Sequence, residues 1–248
     1  MIQRAKNAMR QVNSGQPKPM FDGEVRLSWV LAWLAGLVGA VAFTHSAGYF
    51  VTFMTGNTER AMVGFFIDEP WLSISAGLLL MCFLSGVIVG SLCRRHIWGA
   101  HPHGPTVLTT VCLLAATFVD AMLDGWSTGG VSFVPILLIA FGIGALNTTF
   151  VKNGEVSIAL SYVTGTVVKL GQGIERHLSG GSAADWLGHF LLYASFLTGA
   201  ATGGCISLVV SGSQMLAVAA VVCALTTGYA WFYADRRVKQ QRSYVNTA

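Results

Sequence analysis

A three-residue motif with hydroxyl and amide side chains occurs twice in the chain, as Thr55-Gly56-Asn57 and as Thr164-Gly165-Thr166. Each copy follows a long apolar segment and precedes a short run that resembles a helix. Thr and Asn are good helix N-caps, because their side-chain oxygens accept backbone N–H groups that the first turn leaves unpaired. The N–H groups and the dipole at such a terminus favour anions and carbonyl oxygens. The two motifs therefore predict a pathway for a small polar or anionic solute.

The depth of these motifs in a membrane is left open by the sequence. Ten helical residues span only about 15 Å, half of a bilayer core. In one arrangement the chain dips in from each surface, turns at Gly56 or Gly165, and returns as a half-helix whose N-terminus faces a midplane cavity. The alternatives are capped turns at the two membrane surfaces and another broken-helix arrangement. Glu59 and Arg60 count against deep burial, because charges at the bilayer centre are costly.

Three polar side chains inside apolar segments are further candidates. Asp120 and His45 each lie near the end of a predicted span, where either could serve proton coupling. In the structural alternative, Asp120 meets water at the interface and His45 bonds a neighbouring carbonyl group. Asn147 can hydrogen-bond a solute on the pathway, or it can hold two helices together.

The elements that would position these residues follow from the composition. Hydrophobic residues make up 53% of the 248 residues and charged residues only 10%, whereas a soluble domain carries about a quarter charged residues. The apolar residues form blocks close to the ~20 residues that a bilayer core requires. We therefore predict an all-α integral membrane protein with six transmembrane helices. The predicted spans are residues 27–50, 73–92, 106–123, 131–150, 187–210 and 215–233.

Lysine and arginine residues predict the orientation, because they accumulate in short cytoplasmic loops. In the six-span arrangement 14 of the 15 lie on one side, and Arg60 lies on the other. We therefore expect both termini in the cytoplasm and the protein in the inner membrane of a bacterium. The predicted parts are a basic tail (1–26), a membrane domain (27–233) and a second basic tail (234–248). The net charge of +4 then reflects topology and attraction to anionic lipid, so no nucleic-acid partner is expected.

The two halves of the membrane domain, about 27–124 and 131–233, resemble each other beyond the motif. Phe83-Leu84-Ser85-Gly86 matches Phe196-Leu197-Thr198-Gly199. Three spans per half make the repeat inverted, because the second half then enters the membrane from the opposite side. Small residues four apart let helices approach closely, so we expect the second and fifth spans to pack on each other or to form a homodimer seam. The matched glycines are Gly86, Gly90, Gly199 and Gly203.

Three segments carry a family resemblance, namely Phe53-Met54-Thr55-Gly56-Asn57-Thr58, Gly142-Ile143-Gly144-Ala145-Leu146-Asn147 and Val163-Thr164-Gly165-Thr166. They are similar to segments of the YoaK-like family of bacterial inner-membrane proteins, over about residues 27–233. Members often have Gly-Gln-Asn or similar near residues 145–147; here Asn147 is retained and the preceding residues differ. The resemblance implies a multi-pass helical membrane protein of unassigned function, and it carries over no substrate or catalytic residue.

A small secondary transporter or permease is the function that we expect, because duplicated halves often place a site at their interface and no nucleotide motif is present. The alternatives are a non-transporting membrane partner or assembly protein and a membrane-embedded enzyme. No cofactor or metal is expected, since the histidines at 96, 101 and 103 lack ligand spacing and the five cysteines lie at apolar spans. The predicted partners are the lipid bilayer and an unidentified solute, and a homo-oligomer is left open.

Overall fold

The computed structural model describes residues 23–99, 101, 103–123, 125–126, 130–152, 155–158 and 160–234. Most of the two predicted basic tails therefore lies outside the described residues, which include only 23–26 and 234 of them. The described part contains nearly all of the predicted membrane domain and both copies of the motif.

Eight α-helices make up most of the described part of the chain. They are α1 Gly23–Thr44, α2 Met54–Val63, α3 Pro70–Cys93, α4 His103–Leu123, α5 Phe133–Leu146, α6 Val163–Leu178, α7 Ala184–Ser207 and α8 Gly212–Tyr229. Two π-helical turns, Arg94–Trp98 and Ala230–Ala234, extend α3 and α8. A short antiparallel ladder of β1 Val151–Lys152 and β2 Glu155–Val156 follows α5.

Five helical segments are long and apolar enough to cross a membrane, and they confirm the prediction of an all-helical membrane protein. They are Gly23–Thr44, Pro70–Trp98, His103–Leu123, Trp186–Ser207 and Gly212–Phe232. Many of their large apolar side chains are exposed, as expected for surfaces that face lipid. The buried core lies instead around α1, α5 and α8.

The fourth predicted span, residues 131–150, is shorter as a helix than the sequence predicted. Its helical part is α5, whose 14 residues are about 21 Å long, less than the ~30 Å of a bilayer core. The reason is local hydrogen bonding after Leu146. The N–H and hydroxyl groups of Thr148 and Thr149 all bond carbonyl groups three residues back, which tightens and ends the helix.

Helix packing follows a pattern in which each half contributes the same contacts. The helix that begins each half packs on the long helix that follows the short helix of the other half: α1 on α7, and α5 on α3. Each short helix packs on the long helix that follows it: α2 on α3, and α6 on α7. The larger of the other helix contacts are α4 with α5, α8 with α1, and α4 with α8.

The four matched glycines do not bring the second and fifth spans together, and this prediction is wrong. A Cβ at Gly199 would overlap the Trp33 carbonyl oxygen of α1, and a Cβ at Gly86 would overlap the Phe141 carbonyl oxygen of α5. Gly203 and Gly90 lie one turn further along the same two crossings. These glycines are therefore covered within the chain, which also argues against the homodimer seam.

Each crossing is completed from the other side by a further glycine. A Cβ at Gly36 would overlap the Phe196 carbonyl oxygen, and a Cβ at Gly144 would overlap that of Phe83. The sequence analysis missed Gly36 and Gly144, since neither belongs to a GxxxG pair. Backbone contact of this kind lets two helices approach without intervening side chains.

Two groups of contacts define the two ends of the helix bundle. At the first, the His45 end, α1 and α4 finish while α5 and α8 begin: Val131 N–H donates to the His45 carbonyl, and Asp120 accepts from Ser132 and Ser213. At the second, the Arg94 end, α3 and α5 finish: the Arg94 guanidinium donates to three carbonyl groups after α5. His103 at the start of α4 stacks there on Trp231, at 5.4 Å between ring centroids.

Candidate functional site

A cavity of about 720 Å³ lies where the two copies of the motif come together. The first turns of α2 and α6 form one part of its wall, through Thr55, Thr164 and Gly165. The middle of α1 and the facing part of α7 form another, through Gly36, Gly39, Ala40, Phe196 and Ala200. We call this space the motif cavity. Its position between the two short helices follows from the packing of α1 on α7.

The wall of the motif cavity combines hydroxyl groups with aromatic rings. Thr52, Thr55, Ser161 and Thr164 provide hydroxyls, and Phe43, Phe50, Phe53 and Tyr162 provide rings. Among the described residues that line it there is no Asp, Glu, Lys, Arg or His. Such a surface can hydrogen-bond a small solute and hold its apolar part, without a fixed charge of its own.

The caps of the two short helices differ from those that the sequence predicted. Phe53 and Tyr162 occupy the N-cap positions, and neither makes a side-chain capping hydrogen bond. Asn57 and Thr166 are not caps, because their own N–H groups already donate to the carbonyl groups of Phe53 and Tyr162. The helices therefore begin four residues earlier than predicted, and the motifs form their first turns. N–H groups of an uncapped first turn favour acceptors such as anions and carbonyl oxygens.

The third residue of each motif points away from the lining and back into the protein. The Asn57 amide nitrogen donates to the Phe50 carbonyl at 2.7 Å, and the Thr166 hydroxyl donates to the Tyr162 carbonyl at 3.3 Å. Asn57 is fully buried, and its side-chain oxygen has no hydrogen-bond partner among the described residues. Both residues therefore hold the backbone that carries the cavity wall, and neither belongs to the lining.

The two glycines of the motifs occupy different surroundings. A Cβ at Gly56 would overlap the Phe53 ring, whereas a Cβ at Gly165 would meet nothing within 4 Å. Gly165 lines the cavity and Gly56 does not. The second half therefore opens more space beside its motif than the first half does. The short helices differ as well, since α2 has 10 residues and α6 has 16, more than the half-helix that the sequence predicted.

Arg60, which follows the first motif, lies beside the cavity. Arg60 donates to the Gly48 carbonyl at 2.7 Å, and its guanidinium lies 4.4 Å from the centre of the Phe50 ring. Gly48 adopts a positive φ of 73°, which suits glycine at this turn. Arg60 therefore fixes the loop between α1 and α2 without lining the cavity. Its charge is compatible with a motif that lies deeper in the membrane than Arg60 does.

Asn147 does not line the motif cavity, although it holds one of its walls. Its amide nitrogen donates to the Ser161 hydroxyl at 2.9 Å, and its oxygen accepts from the Ser161 N–H at 3.2 Å. Both residues are buried. This two-way bond attaches the end of α5 to the segment that leads into α6, as one of the two predicted roles of Asn147 requires.

Asp120 and His45 lie together at the His45 end of the bundle and line neither this cavity nor the one described below. Asp120 is fully buried, and its two oxygens accept from the Ser132 N–H and the Ser213 hydroxyl. The carboxylate thus joins the starts of α5 and α8. This is a structural role, as in the alternative given for Asp120, but the side chain is buried in the protein, whereas that alternative placed it in water at the interface. A role of either residue in proton coupling stays a prediction.

The aromatic residues next to the motifs were missed by the sequence analysis. Phe53 and Tyr162 stand two residues before the motifs and line the cavity that the motifs share. The signal was present, since an aromatic residue occupies the same position in both copies. A comparison of the flanking residues would have identified the pair.

Residues 27–229 match a family described as "Protein of unknown function (DUF1275)". The chain belongs to this family. The DUF1275 match includes both motifs and both glycine crossings, and the resemblance to the YoaK-like family is confirmed. The chain is also similar to a UPF0700 transmembrane protein, RA0705 of Rhizobium meliloti (strain 1021). The two are 27% identical over 177 residues, which cover 70% of this chain and 71% of that protein. No solved structure matches the chain. These findings establish a multi-pass membrane protein of an uncharacterised family.

Proposed function

We propose that this protein is a small secondary transporter or permease for a small polar or anionic solute. The observation that carries the proposal is that both copies of the motif line one cavity, with the N-termini of α2 and α6 facing it. Broken helices whose N-termini meet at a cavity between two repeats are a recurring design of transporter sites. The proposal involves no catalytic step and no cofactor.

The proposed architecture is a six-span inverted repeat in which α5 is the shortened fourth span. Helix directions support it. The Thr44 and Ser207 hydroxyls lie 2.9 Å apart one to three turns beyond the α1–α7 glycine crossing, so these two helices run parallel. In contrast α4 and α8, which occupy the same place in each half, run antiparallel: Thr110 bonds Thr227, whereas Asp120 near the other end of α4 bonds Ser213. An equivalent pair that runs antiparallel is what a twofold axis in the membrane plane requires.

The depth of the cavity in this architecture follows from α1. Gly36 and Gly39 line the motif cavity and lie in the interior of a helix that extends over residues 23–44. The first turns of α2 and α6 approach that same level, which favours half-helices that reach inward over turns at the surface. Irregular backbone at such a depth is acceptable where protein or a cavity surrounds it.

Lysine and arginine residues favour one orientation for this architecture. Arg94 and Arg95 lie at the Arg94 end, which would therefore face the cytoplasm of a bacterium with both chain termini, and the His45 end would face outward. Two N-termini and four hydroxyls at the motif cavity favour a solute with a carboxylate, phosphate or carbonyl group. Any energy would come from an ion gradient, because the chain has no nucleotide motif.

Flux through proteoliposomes tests this function with a panel of chloride, inorganic phosphate, acetate, succinate, glycerol and urea. We expect at least one anion to enter faster than in protein-free liposomes. Gly165→Leu places a large side chain in open space within the cavity, and the flux should fall at least about tenfold, the factor for a barrier raised by ~1.4 kcal/mol.

Gly171→Leu is the matched control, since Gly171 lies on the same helix, has equally open space and does not line the cavity. Both changes raise helix propensity similarly, so the flux of Gly171→Leu should stay near that of the parent. Equal flux in the two variants would place the pathway elsewhere, and no flux for any panel solute would count against transport of small anions.

A further inference from the structure

A second cavity, of about 480 Å³, lies at the Arg94 end of the bundle. Val87, Ser91 and the Arg94–Arg95 pair of α3 and its π-helical turn form one side. Asn147 and Thr148 after α5, with Tyr162 before α6, form the other. We call it the arginine cavity. None of the motif residues lines it.

Three residues that line the arginine cavity occupy the same positions in their half as three residues that line the motif cavity. Val87 follows the crossing glycine Gly86, as Ala200 follows Gly199 in the motif cavity. On the facing helices, α5 and α1, the lining residues also stand at equal distances along the chain from the crossing glycines. Asn147 and Thr148 stand three and four residues after Gly144, just as Gly39 and Ala40 stand after Gly36.

The two cavities lie toward opposite ends of the bundle. The motif cavity is lined by Phe43 and Phe50, near where α1 finishes at the His45 end. The arginine cavity is lined by residues just past the end of α3, at the Arg94 end. Two related spaces toward opposite ends are expected of an inverted repeat, because the twofold axis in the membrane plane relates one half, and one end, to the other.

The two spaces adjoin each other at Tyr162 and at the Asn147–Ser161 pair. Tyr162 lines both of them, and 45% of its surface is exposed. Beside it, Asn147 lines the arginine cavity while its bonding partner Ser161 lines the motif cavity. The Asn147–Ser161 bond is buried and holds the backbone from which Tyr162 extends.

The charge of Arg94 selects the class of solute for the arginine cavity. Three of its five N–H donors bond the carbonyl groups of Thr148, Thr149 and Val151. Carbonyl groups fix the guanidinium without neutralising it, and no carboxylate among the described residues forms an ion pair with it. Glu24, in the first turn of α1, interacts with it electrostatically. With Arg95 beside it, this cavity attracts anions.

We propose that the motif cavity and the arginine cavity are the two vestibules of one anion pathway, and that the Tyr162 ring closes the passage between them. This inference rests on the proposed transport function and adds to it a gate and an anion-attracting vestibule. The repeat gives the gate a counterpart, Phe53, which precedes the other short helix and lines only the motif cavity in this arrangement.

Labelling from the two sides of the membrane tests the gate without knowledge of the solute. Thr55→Cys reports on the motif cavity and Ser91→Cys on the arginine cavity, each in a background that lacks the five native cysteines. A membrane-impermeant maleimide is applied to right-side-out and to inverted vesicles. We expect the two positions to react from opposite sides of the membrane.

Tyr162→Ala should then let each position react from its formerly closed side, at least about tenfold faster than in the parent. Tyr162→Phe keeps the ring and should keep the sidedness. Reaction of both positions from the same side in the parent would overturn the proposal, and this measurement needs no change at Tyr162. Unchanged sidedness in Tyr162→Ala and in a second variant, Tyr162→Val, would overturn the gate.

The outcome is distinguishable from a failure of the transport function. Opposite sidedness that Tyr162→Ala abolishes, together with no flux of any panel anion, would keep the divided passage and reject anion transport. Flux that Gly165→Leu blocks, together with labelling of both positions from one side, would keep transport and reject the two-vestibule pathway.

Discussion

The two halves of the chain build the same helix crossing and then differ in the connection that follows it. Gly199 meets Trp33 as Gly86 meets Phe141, so the crossings α1–α7 and α3–α5 are equivalent. After the first crossing, Gly39 lets Thr52 approach α1 closely. At the same place after the second crossing, Asn147 forms a two-way hydrogen bond with Ser161.

This difference shows which parts of the two halves are free to differ. Backbone contacts at a crossing require glycine in both halves, because any side chain would push the helices apart. The connections carry no such requirement. One of them leaves the space beside α1 open to the motif cavity, and the other closes the wall between the two cavities with a polar bond.

The largest effect is expected at the crossings themselves. Gly86→Ala and Gly199→Ala each place a methyl group against a backbone carbonyl, and overpacking of this kind costs about 1–3 kcal/mol. The free energy of unfolding in detergent, from a denaturant titration, should fall by similar amounts for the two variants. A loss confined to one of them would break the equivalence of the crossings.

Each of these variants has a control on its own helix. Gly77 of α3 and Gly204 of α7 have open space around the position of a Cβ. Their substitution by Ala should leave the free energy of unfolding unchanged or raise it by up to ~1 kcal/mol through helix propensity. If Gly86→Ala is as harmless as Gly77→Ala, the close approach of α3 and α5 is wrong.

A smaller effect is expected where the connections differ. A double-mutant cycle of Asn147→Ala and Ser161→Ala isolates the energy of their bond, for which hydrogen bonds inside membrane proteins suggest about 0.6 kcal/mol and at most about 1.7. The matching pair in the first half, Gly39 and Thr52, makes a contact without such a bond, so Thr52→Ala should change stability less. A coupling energy near zero between Asn147 and Ser161 would contradict the stated difference between the two connections.

The smallest effect is expected on the two short helices. Arg60 of α2 bonds the Gly48 carbonyl and lies on the Phe50 ring, whereas Lys169, at the matching position of α6, is exposed. Arg60→Met should lower the free energy of unfolding by about 0.5–1 kcal/mol, the scale of a cation–π contact at an accessible site. Lys169→Met should have no measurable effect, and an equal loss in both variants would show that the contact is not the cause.

The sequence predicted well those features that depend on composition and local pattern. Apolar blocks gave the positions of five long helices to within six residues at each end, because the requirement for a ~30 Å apolar segment acts on each block alone. The block at 131–150 failed, since its last residues include Thr148 and Thr149, whose hydroxyls end the helix. Average hydropathy does not register such a local competition.

The candidate site was predicted only in part. Thr55, Thr164 and Gly165 line one cavity, whereas Asn57 and Thr166 serve its backbone and Asn147 lines another cavity. A motif shows that two short helices begin alike, but it gives no direction for each side chain. The first turn decides that direction, and here it starts at Met54 and Val163 instead of after the motifs.

By itself, the sequence determined the membrane class and the positions of the long helices, because each depends on residues that are close together in the chain. Only the tertiary structure decided that Gly86 meets Phe141 and not the span that carries Gly199 and Gly203. It also decided that Tyr162 borders two cavities. The physical reason is that a glycine allows close approach without specifying its partner. The partner is selected by the packing of α1, α3, α5 and α7 together.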